Sequence, residues 1–579
     1  MTAVEAPADQ LAGGPAGEHP LAAFWDFSLE NLADGIAGRQ EMPNNPLAPT
    51  QFPKRLRARP VPLSRPGRLG VGRPERGARP GDGCDERTWS TLLAHANGLI
   101  RYEPMPNPQS RALHRTVASP RCLFPTQLHL ALRAPSCEPL RPGLYTHDPA
   151  HHALIPLRAD YGDGDGGDGG GGDLVPYLVG LVGAERAGDG IGDTKSSVGS
   201  VNDVVGVAVL TSRFWQTAFV YRDYAYRLCS QEAGLVTGSL TLVAAALGLS
   251  ADVHHLFPDG ELTRLLGLTP GEESPYAVVV LRDGRGRGAR APMPQPTAAP
   301  APLPPSEDPA RPVAVHCPRL VAMERAVVWE ETAGVDWSEG ATDAVSVPET
   351  VGPPVDCAPV GEADLDARVI GRNSGPGFFA PVRRPLPRTA LHELFRFAAR
   401  HGMGTGLGTG TDLGIGADAG THTELTHDTF PDSAPPLRIY AQLRTVEGVE
   451  PGSYRLADDG RSLLRHRHQP PVGQEVGGWL QPNYVDVNAV VYVVGDRAWA
   501  DRRFGARGYR ILNALAGEAA HRICLGAAGC QAAARITNSY HADAVRAQFD
   551  LVDRRHVPLF QISVARSRPG PNLMSRIHG

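Results

Sequence analysis

The sequence predicts an α+β protein built from two similar halves in tandem. Three observations carry this prediction. The same order of strand and helix patterns occurs twice along the 579 residues. A proline-, alanine- and glycine-rich stretch, Asp283–Pro312, separates the two occurrences and reads as an extended linker. Within each half, short alternating or wholly apolar runs mix with segments of helical period, as α+β domains require.

The elements duplicate in order. Gly143–Arg158 (GLYTHDPAHHALIPLR) and Gly452–Arg467 (GSYRLADDGRSLLRHR) each read as two strands around a polar turn. The buried-strand patterns VVGVAVLTSR and NAVVYVVGDR follow. Tyr221–Leu249 and Phe504–Ala532 each place a Tyr-Arg pair ahead of apolar residues at helical spacing and a glycine-containing end. Tyr276–Leu281 and Leu559–Arg566 close the halves as apolar strands. The boundaries read 1–283 for the first domain, 284–315 for the linker and 316–579 for the second domain. Gly162–Asp173 reads as a flexible glycine-aspartate loop without the ligand spacing of a calcium loop. Gly402–Asp428 reads as a glycine-rich loop, whose His422 and His427 are expected in solvent.

Composition excludes several function classes. The net charge is -5 and no basic stripe with interleaved aromatics occurs, so no nucleic acid is expected as a partner. The longest apolar stretch, near Leu240–Leu249, is far short of the roughly 20 residues a membrane helix needs. No basic segment followed by an apolar run opens the sequence, so a cytoplasmic location is expected. The eight cysteines are scattered, without zinc spacing, and read as reduced thiols. Lys54 and Lys195 are the only lysines, so a lysine base has almost nowhere to come from.

These patterns resemble the nitroreductase superfamily and, within it, the SagB/McbC-type azoline dehydrogenases. Arg115–Pro125 (RTVASPRCLFP) resembles the loop motif R-x-x-P-S-x-G-x-L-Y-P, and the hairpin after Gly143 resembles the next block. NPLAPTQFPKRLRARPVPL resembles the leading segment, and LTRLLGLTPGEESPYAVVVL the closing one. Arg372–Phe378 (RNSGPGF) resembles the superfamily's opening R-x-S-x-[RK]-x-F turn. The resemblance implies FMN as cofactor and two nitroreductase-like domains forming an intrachain pseudo-dimer.

In that superfamily each flavin site is shared between two subunits. The first half retains the serine loop, giving Arg115, Ser119, Cys122, Phe124 and Pro125 as expected cofactor contacts, but no R-x-S turn is recognisable in it. The second half retains Arg372, Asn373 and Ser374, which offer paired charge and hydroxyl donors to a phosphate. It also ends in ARSRP, resembling a basic phosphate contact at Arg566 and Arg568. It lacks the serine loop, with THDTFPDSAPPLRIY in its place. The losses are complementary, so one composite site and one FMN per chain are expected. Arg121 stands where the motif has glycine, which puts the local backbone in question.

The resemblance also implies the chemistry: oxidation of thiazolines or oxazolines to thiazoles or oxazoles in a ribosomally made peptide, such as a thiopeptide. The implied partners are a leader-bearing precursor peptide carrying azolines and an azoline-forming cyclodehydratase. The family's Lys-Tyr pair aligns with Val220-Tyr221, leaving Tyr221 as the expected base or proton relay. In the second half the pair becomes Arg503-Phe504. Phe214 and Trp215 read as core, and a redox role for Cys122 would need a lowered pKa. Two other readings remain open: a general NAD(P)H-dependent flavin reductase or nitroreductase, and a non-catalytic peptide-binding partner of a cyclodehydratase.

Overall fold

The computed structural model describes residues 20–29, 59–69, 84–103, 113–133, 140–159, 174–183, 203–283, 300–304, 312–329, 349–361, 363–375, 381–382, 384–397, 436–458, 460–469, 486–551, 553–566 and 575–576. The loops expected at Gly162–Asp173 and Gly402–Asp428, most of the linker, and the segment replacing the serine loop before Pro436 lie outside these residues.

The first half runs α1 (Pro20–Leu29), β1 (Val61–Pro62), α2 (Glu86–Asn97), β2 (Leu99–Tyr102), β3 (Leu113–Arg115), β4 (Thr126–Leu132), β5 (Gly143–Asp148), β6 (Ala153–Ala159), α3 (Leu174–Gly183), β7 (Val204–Arg213), α4 (Phe214–Tyr221), α5 (Ala225–Ala246), β8 (Leu249–His254), α6 (Asp259–Leu266) and β9 (Glu273–Asp283). The second continues α7 (Pro312–His316), α8 (Pro318–Val327), β10 (Val355–Asp356), α9 (Leu365–Gly371), α10 (Thr389–Leu394), β11 (Leu437–Leu443), β12 (Gly452–Leu456), β13 (Ser462–Arg465), β14 (Ala489–Asp496), α11 (Arg497–Phe504), α12 (Arg507–Gly529), β15 (Ala533–Thr537), α13 (Ala542–Gln548), β16 (His556–Ala565) and β17 (Ser575–Arg576).

Each half forms a seven-stranded sheet, and the two orders match place by place: β1-β6-β5-β4-β7-β9-β8 and β10-β13-β12-β11-β14-β16-β15. The duplication extends to single residues. Arg213, Tyr226, Gly234, Asp259 and Pro275 correspond in one ungapped register to Asp496, Tyr509, Gly517, Ala542 and Pro558. Even the irregularity between Leu210 and Thr211 recurs between Val493 and Val494.

The central strands read as continuous apolar runs because both faces are covered. On β7, Ala208 and Leu210 face the core shared with the second half, while Val207 and Val209 face the core under α3. On β14, Val491 and Val493 face the shared core, while Val490, Tyr492 and Val494 face a core of their own. One apolar core therefore contains residues of both halves, and the intrachain pseudo-dimer is a single packed body.

Helices α5 and α12 cross at the centre of that core, where only glycine fits. A Cβ on Gly234 would stand 1.8 Å from the carbonyl oxygen of Ala514, and one on Gly517 2.1 Å from that of Gln231. Buried arginines then cross between halves. Arg227 donates to the Pro558 and Leu559 carbonyls (3.2 and 3.1 Å), and its counterpart Arg510 donates to the Pro275 carbonyl (2.9 Å). The leading helices exchange as well. Trp25 on α1 donates to Asp501 on α11 (3.2 Å), and the Leu320 amide on α8 donates to Asp223 after α4 (2.9 Å). Finally β17 pairs with β2, returning the chain's end to the first half.

Candidate functional site

The serine loop leaves β3 at Arg115 and enters β4 at Thr126. Ser119 caps a short helical turn, and Arg121, Cys122 and Phe124 all take left-handed torsions, with φ of 51, 54 and 50°. Arg121 thus takes a left-handed conformation that favours glycine. Such torsions cost non-glycine residues roughly 1–3 kcal/mol each and persist only where surroundings hold them. Here the holding groups are visible. The Phe124 amide donates to Ser119 Oγ (2.9 Å), and the Arg115 guanidinium lies 4.4 Å over the Phe124 ring. Ser119 Oγ in turn donates to Glu232 on α5.

The second half's R-x-S turn meets this loop. Arg372 follows α9, whose N-cap Asp364 accepts from the Ala367 amide (3.0 Å). Its guanidinium donates to the carbonyls of Thr116, Arg115 and Val117 at 2.6, 2.8 and 3.3 Å. Arg101 on β2 returns a bond to the Arg372 carbonyl (2.8 Å). The carbonyls of Asn373 and Ser374 accept from the Ala534 amide (3.1 Å) and Arg535 Nε (2.9 Å), which fixes the turn against β15. Beside β15, β16 ends next to Arg566, whose amide donates to Asn488 Oδ1 (3.2 Å). Arg568 lies outside the described residues.

The structure therefore brings Arg115, Ser119, Cys122, Phe124 and Arg372 together, with Asn373 and Ser374 on the same turn as Arg372. Pro125 leads to the next element: its carbonyl accepts from the Arg213 amide (3.0 Å), where α4 begins. Tyr221 is half-buried at the far end of α4, followed by Arg222 at φ 50 and ψ -136. Gly505 takes the same torsions after α11 in the second half, φ 52 and ψ -135. Phe214 is fully buried in the core, whereas Trp215 stacks on His316.

Three arginines and two carboxylates, Glu103 and Glu232, act on Cys122, and Glu103 lies 4.0 Å from Arg101 Nε. Arg101, Arg115 and Arg372 are all buried and close enough to act electrostatically on the Cys122 thiol. Burial brings Arg115 and Arg372 down to about 10, and burial beside Arg101 and Arg372 brings His114 down to about 3. Burial outweighs these cations at Cys122 and pushes the thiol up to about 11, so it is protonated at neutral pH and unreactive as a nucleophile. Arg101 Nε, Arg115 Nε and Arg372 Nη1 are buried and have no hydrogen-bond partner among the described residues. Buried guanidinium donors left in this state fit an anionic group.

Two residues of this constellation escape sequence reading. Arg101 carries no motif. Glu232 is visible as a lone acid in an apolar helix, but its partner Ser119 stands 113 residues away. Burial pushes the Glu232 carboxyl up to about 7, against the opposing hydrogen bond from Ser119 and the charge of Arg115. Among the described residues no His, Cys, Asp and Glu group could hold a metal, no helix is long and apolar enough to cross a membrane, and no cysteine is in a disulfide.

No family model matches the chain, and no curated protein matches it. Among solved structures, a protein assigned as a nitroreductase from Anabaena variabilis aligns with a TM-score of 0.68 and 19% identity, over 95% of this chain and 100% of that one. A second protein so assigned, from Ralstonia eutropha, aligns over 41% of this chain and 99% of its own, with 18% identity and a TM-score of 0.25. The Escherichia coli microcin synthetase McbBCD, with truncated pro-MccB17 bound, aligns over 48% of this chain and 98% of that one, with 21% identity and a TM-score of 0.27. The near-complete first alignment and the duplicated sheets lead to one conclusion: the chain carries the nitroreductase fold as two tandem domains sharing one core.

Proposed function

We propose that this chain is a SagB/McbC-type FMN-dependent dehydrogenase, oxidising thiazolines or oxazolines to thiazoles or oxazoles in a ribosomally made peptide such as a thiopeptide. The observation that carries the reading is the union of the second half's Arg372 with the first half's Arg115–Val117 backbone, beside buried guanidinium nitrogens of Arg101, Arg115 and Arg372 that make no hydrogen bond among the described residues. Arg101, Arg115 and Arg372 would hold the cofactor phosphate, with Asn373 and Ser374 on the turn that carries Arg372; Arg566 and Arg568 are proposed as further phosphate contacts. Bound FMN supplies the hydride acceptor.

The chain's own residues do the rest. Ser119 and Phe124 hold the loop conformation through their mutual bond. Leu123 and Phe124 are themselves buried and give the loop apolar surface. Tyr221, in place of the family's Lys-Tyr pair, relays a proton. The proposed domains are 1–283 and 316–579, joined by the linker 284–315, whose last residues already form the start of α7, with the second domain serving as cofactor holder. The proposed partners are a leader-bearing peptide and a cyclodehydratase, met in the cytoplasm.

Incubation with FMN and a thiazoline-containing peptide tests this reading, with mass analysis for loss of two hydrogens per ring. Unchanged peptide, together with rapid flavin reduction by NAD(P)H, would favour a general flavin reductase instead. Tyr221→Phe should lower turnover while flavin is retained; wild-type turnover in that variant would remove Tyr221 from the assignment.

A further inference from the structure

A phenol with an ordinary pKa near 10 is a poor place to leave a proton at pH 7. The lysine that would assist Tyr221 is valine at position 220. A second group beside the loop is better suited to hold that proton. We propose that Glu232, reached through Ser119, takes up and stores the substrate proton at this site. The proposal rests on the reading of this site as a flavin dehydrogenase.

The geometry supplies a two-member relay. Glu232 is 1% exposed, whereas Ser119 is half-exposed, so Ser119 links the buried carboxylate to the outside. Ser119 Oγ accepts from the Phe124 amide (2.9 Å) and donates to Glu232 Oε2. The other carboxylate oxygen accepts from the Thr126 amide (3.4 Å). A hydroxyl has one hydrogen and two acceptor positions. While Glu232 is ionised, that hydrogen is directed inward and one acceptor position of Ser119 is open. Once Glu232 is protonated, it donates to Ser119 Oγ and the serine hydrogen turns outward. Substrate oxidation then balances as follows. One ring C–H bond breaks and its proton, relayed by Tyr221, passes to Ser119 Oγ as the serine proton passes to Glu232 Oε2. The second ring hydrogen leaves with its electron pair to the bound flavin.

The groups facing Glu232 are Arg115 from β3, Ser119 and Cys122 from the loop, Thr126 from β4 and Cys229 from its own helix. Burial sets the carboxyl near 7 despite Arg115, so it is half-ionised under ordinary conditions and able to move a proton either way. In the second half the corresponding residue is Leu515, so no such relay exists there.

The experiment uses the full chain loaded with FMN and a thiazoline-containing peptide. Wild-type turnover should rise through a midpoint near pH 7. Glu232→Gln and Ser119→Ala should each lose that limb and fall about 100-fold in rate. Ser119→Thr, which keeps the hydroxyl, should retain it. Infrared difference spectroscopy of the chain without FMN should show a carboxyl band titrating near pH 7, absent in Glu232→Gln. Should Glu232→Gln fail to fold, the two Ser119 variants carry the test, because that side chain is half-exposed. A limb unchanged in Glu232→Gln or Ser119→Ala overturns the relay while leaving the dehydrogenase reading intact, as does a carboxyl band titrating in the ordinary glutamate range. A chain that takes up no FMN overturns the dehydrogenase reading itself, and the relay with it.

Discussion

Helices α5 and α12 occupy equivalent places in the two halves, yet only their geometry is equivalent. Both begin beyond a residue with φ near 50°, Arg222 in one case and Gly505 in the other. Both cross at a glycine and send a buried arginine into the opposite half. Their chemistry differs. Glu232 on α5 reaches the serine loop, whereas Leu515 on α12 is plain core. Arg227 meets neutral carbonyls and a tyrosine hydroxyl, whereas Arg510 meets Glu324 (2.7 Å) and Asp259 (3.3 Å). Packing tolerates little change at a two-fold crossing, so both copies keep it. The polar contact between helix and loop is present in the first half alone, as the proposed single site requires.

The largest effect is expected where the two copies are most alike. Gly234→Leu forces a side chain into the Ala514 carbonyl and should cost more than about 4 kcal/mol, read as loss of cooperative unfolding or of folded yield. A fully folded, wild-type-stable variant would contradict the crossing. Next, Arg510→Met leaves Glu324 and Asp259 buried with a partner removed, and should cost about 3–5 kcal/mol by denaturant unfolding. Arg227→Met removes bonds to neutral groups alone and should cost about 1–3 kcal/mol. Equal losses would erase the contrast between the two arginines.

The Glu232 carboxyl supplies a pH-dependent contrast. Its folded pKa, about 7, lies above the unfolded value of 4.5, so the folded chain binds more protons between them. Its contribution to stability is complete below the unfolded value and is lost as pH rises through the folded one, about 3 kcal/mol in all. Wild type should therefore lose stability relative to Glu232→Gln across that window; parallel pH curves would refute the shift. The smallest effect belongs to the helix junctions. Arg222→Gly should stabilise by about 1 kcal/mol, because relieved strain exceeds the added chain entropy, and Gly505→Arg should destabilise by a similar amount. Thermal melts of the pair read both signs.

The duplicated hairpins and central strands were legible in sequence because each carries its own periodicity and turn. The two-residue edge strands Val61–Pro62 and Val355–Asp356 were not, being too short to show a pattern. The buried role of Asp259 on α6 has no local signal, because its partners Arg507 and Arg510 lie 248 and 251 residues away. The loop and the R-x-S turn were visible as complementary remnants. Arg101 escaped for the opposite reason, since an arginine in LIRYEP says nothing until the chain carries residue 372 to it, 271 positions later. Local signals specify elements, whereas a composite site is assembled from long-range contacts.

The central claim is that the two halves make one flavin site between them. Titration of the folded chain with FMN, followed by flavin absorbance and calorimetry, tests it most directly. The account predicts saturation at one FMN per chain, lost on Arg372→Met. Two equivalents per chain would contradict it.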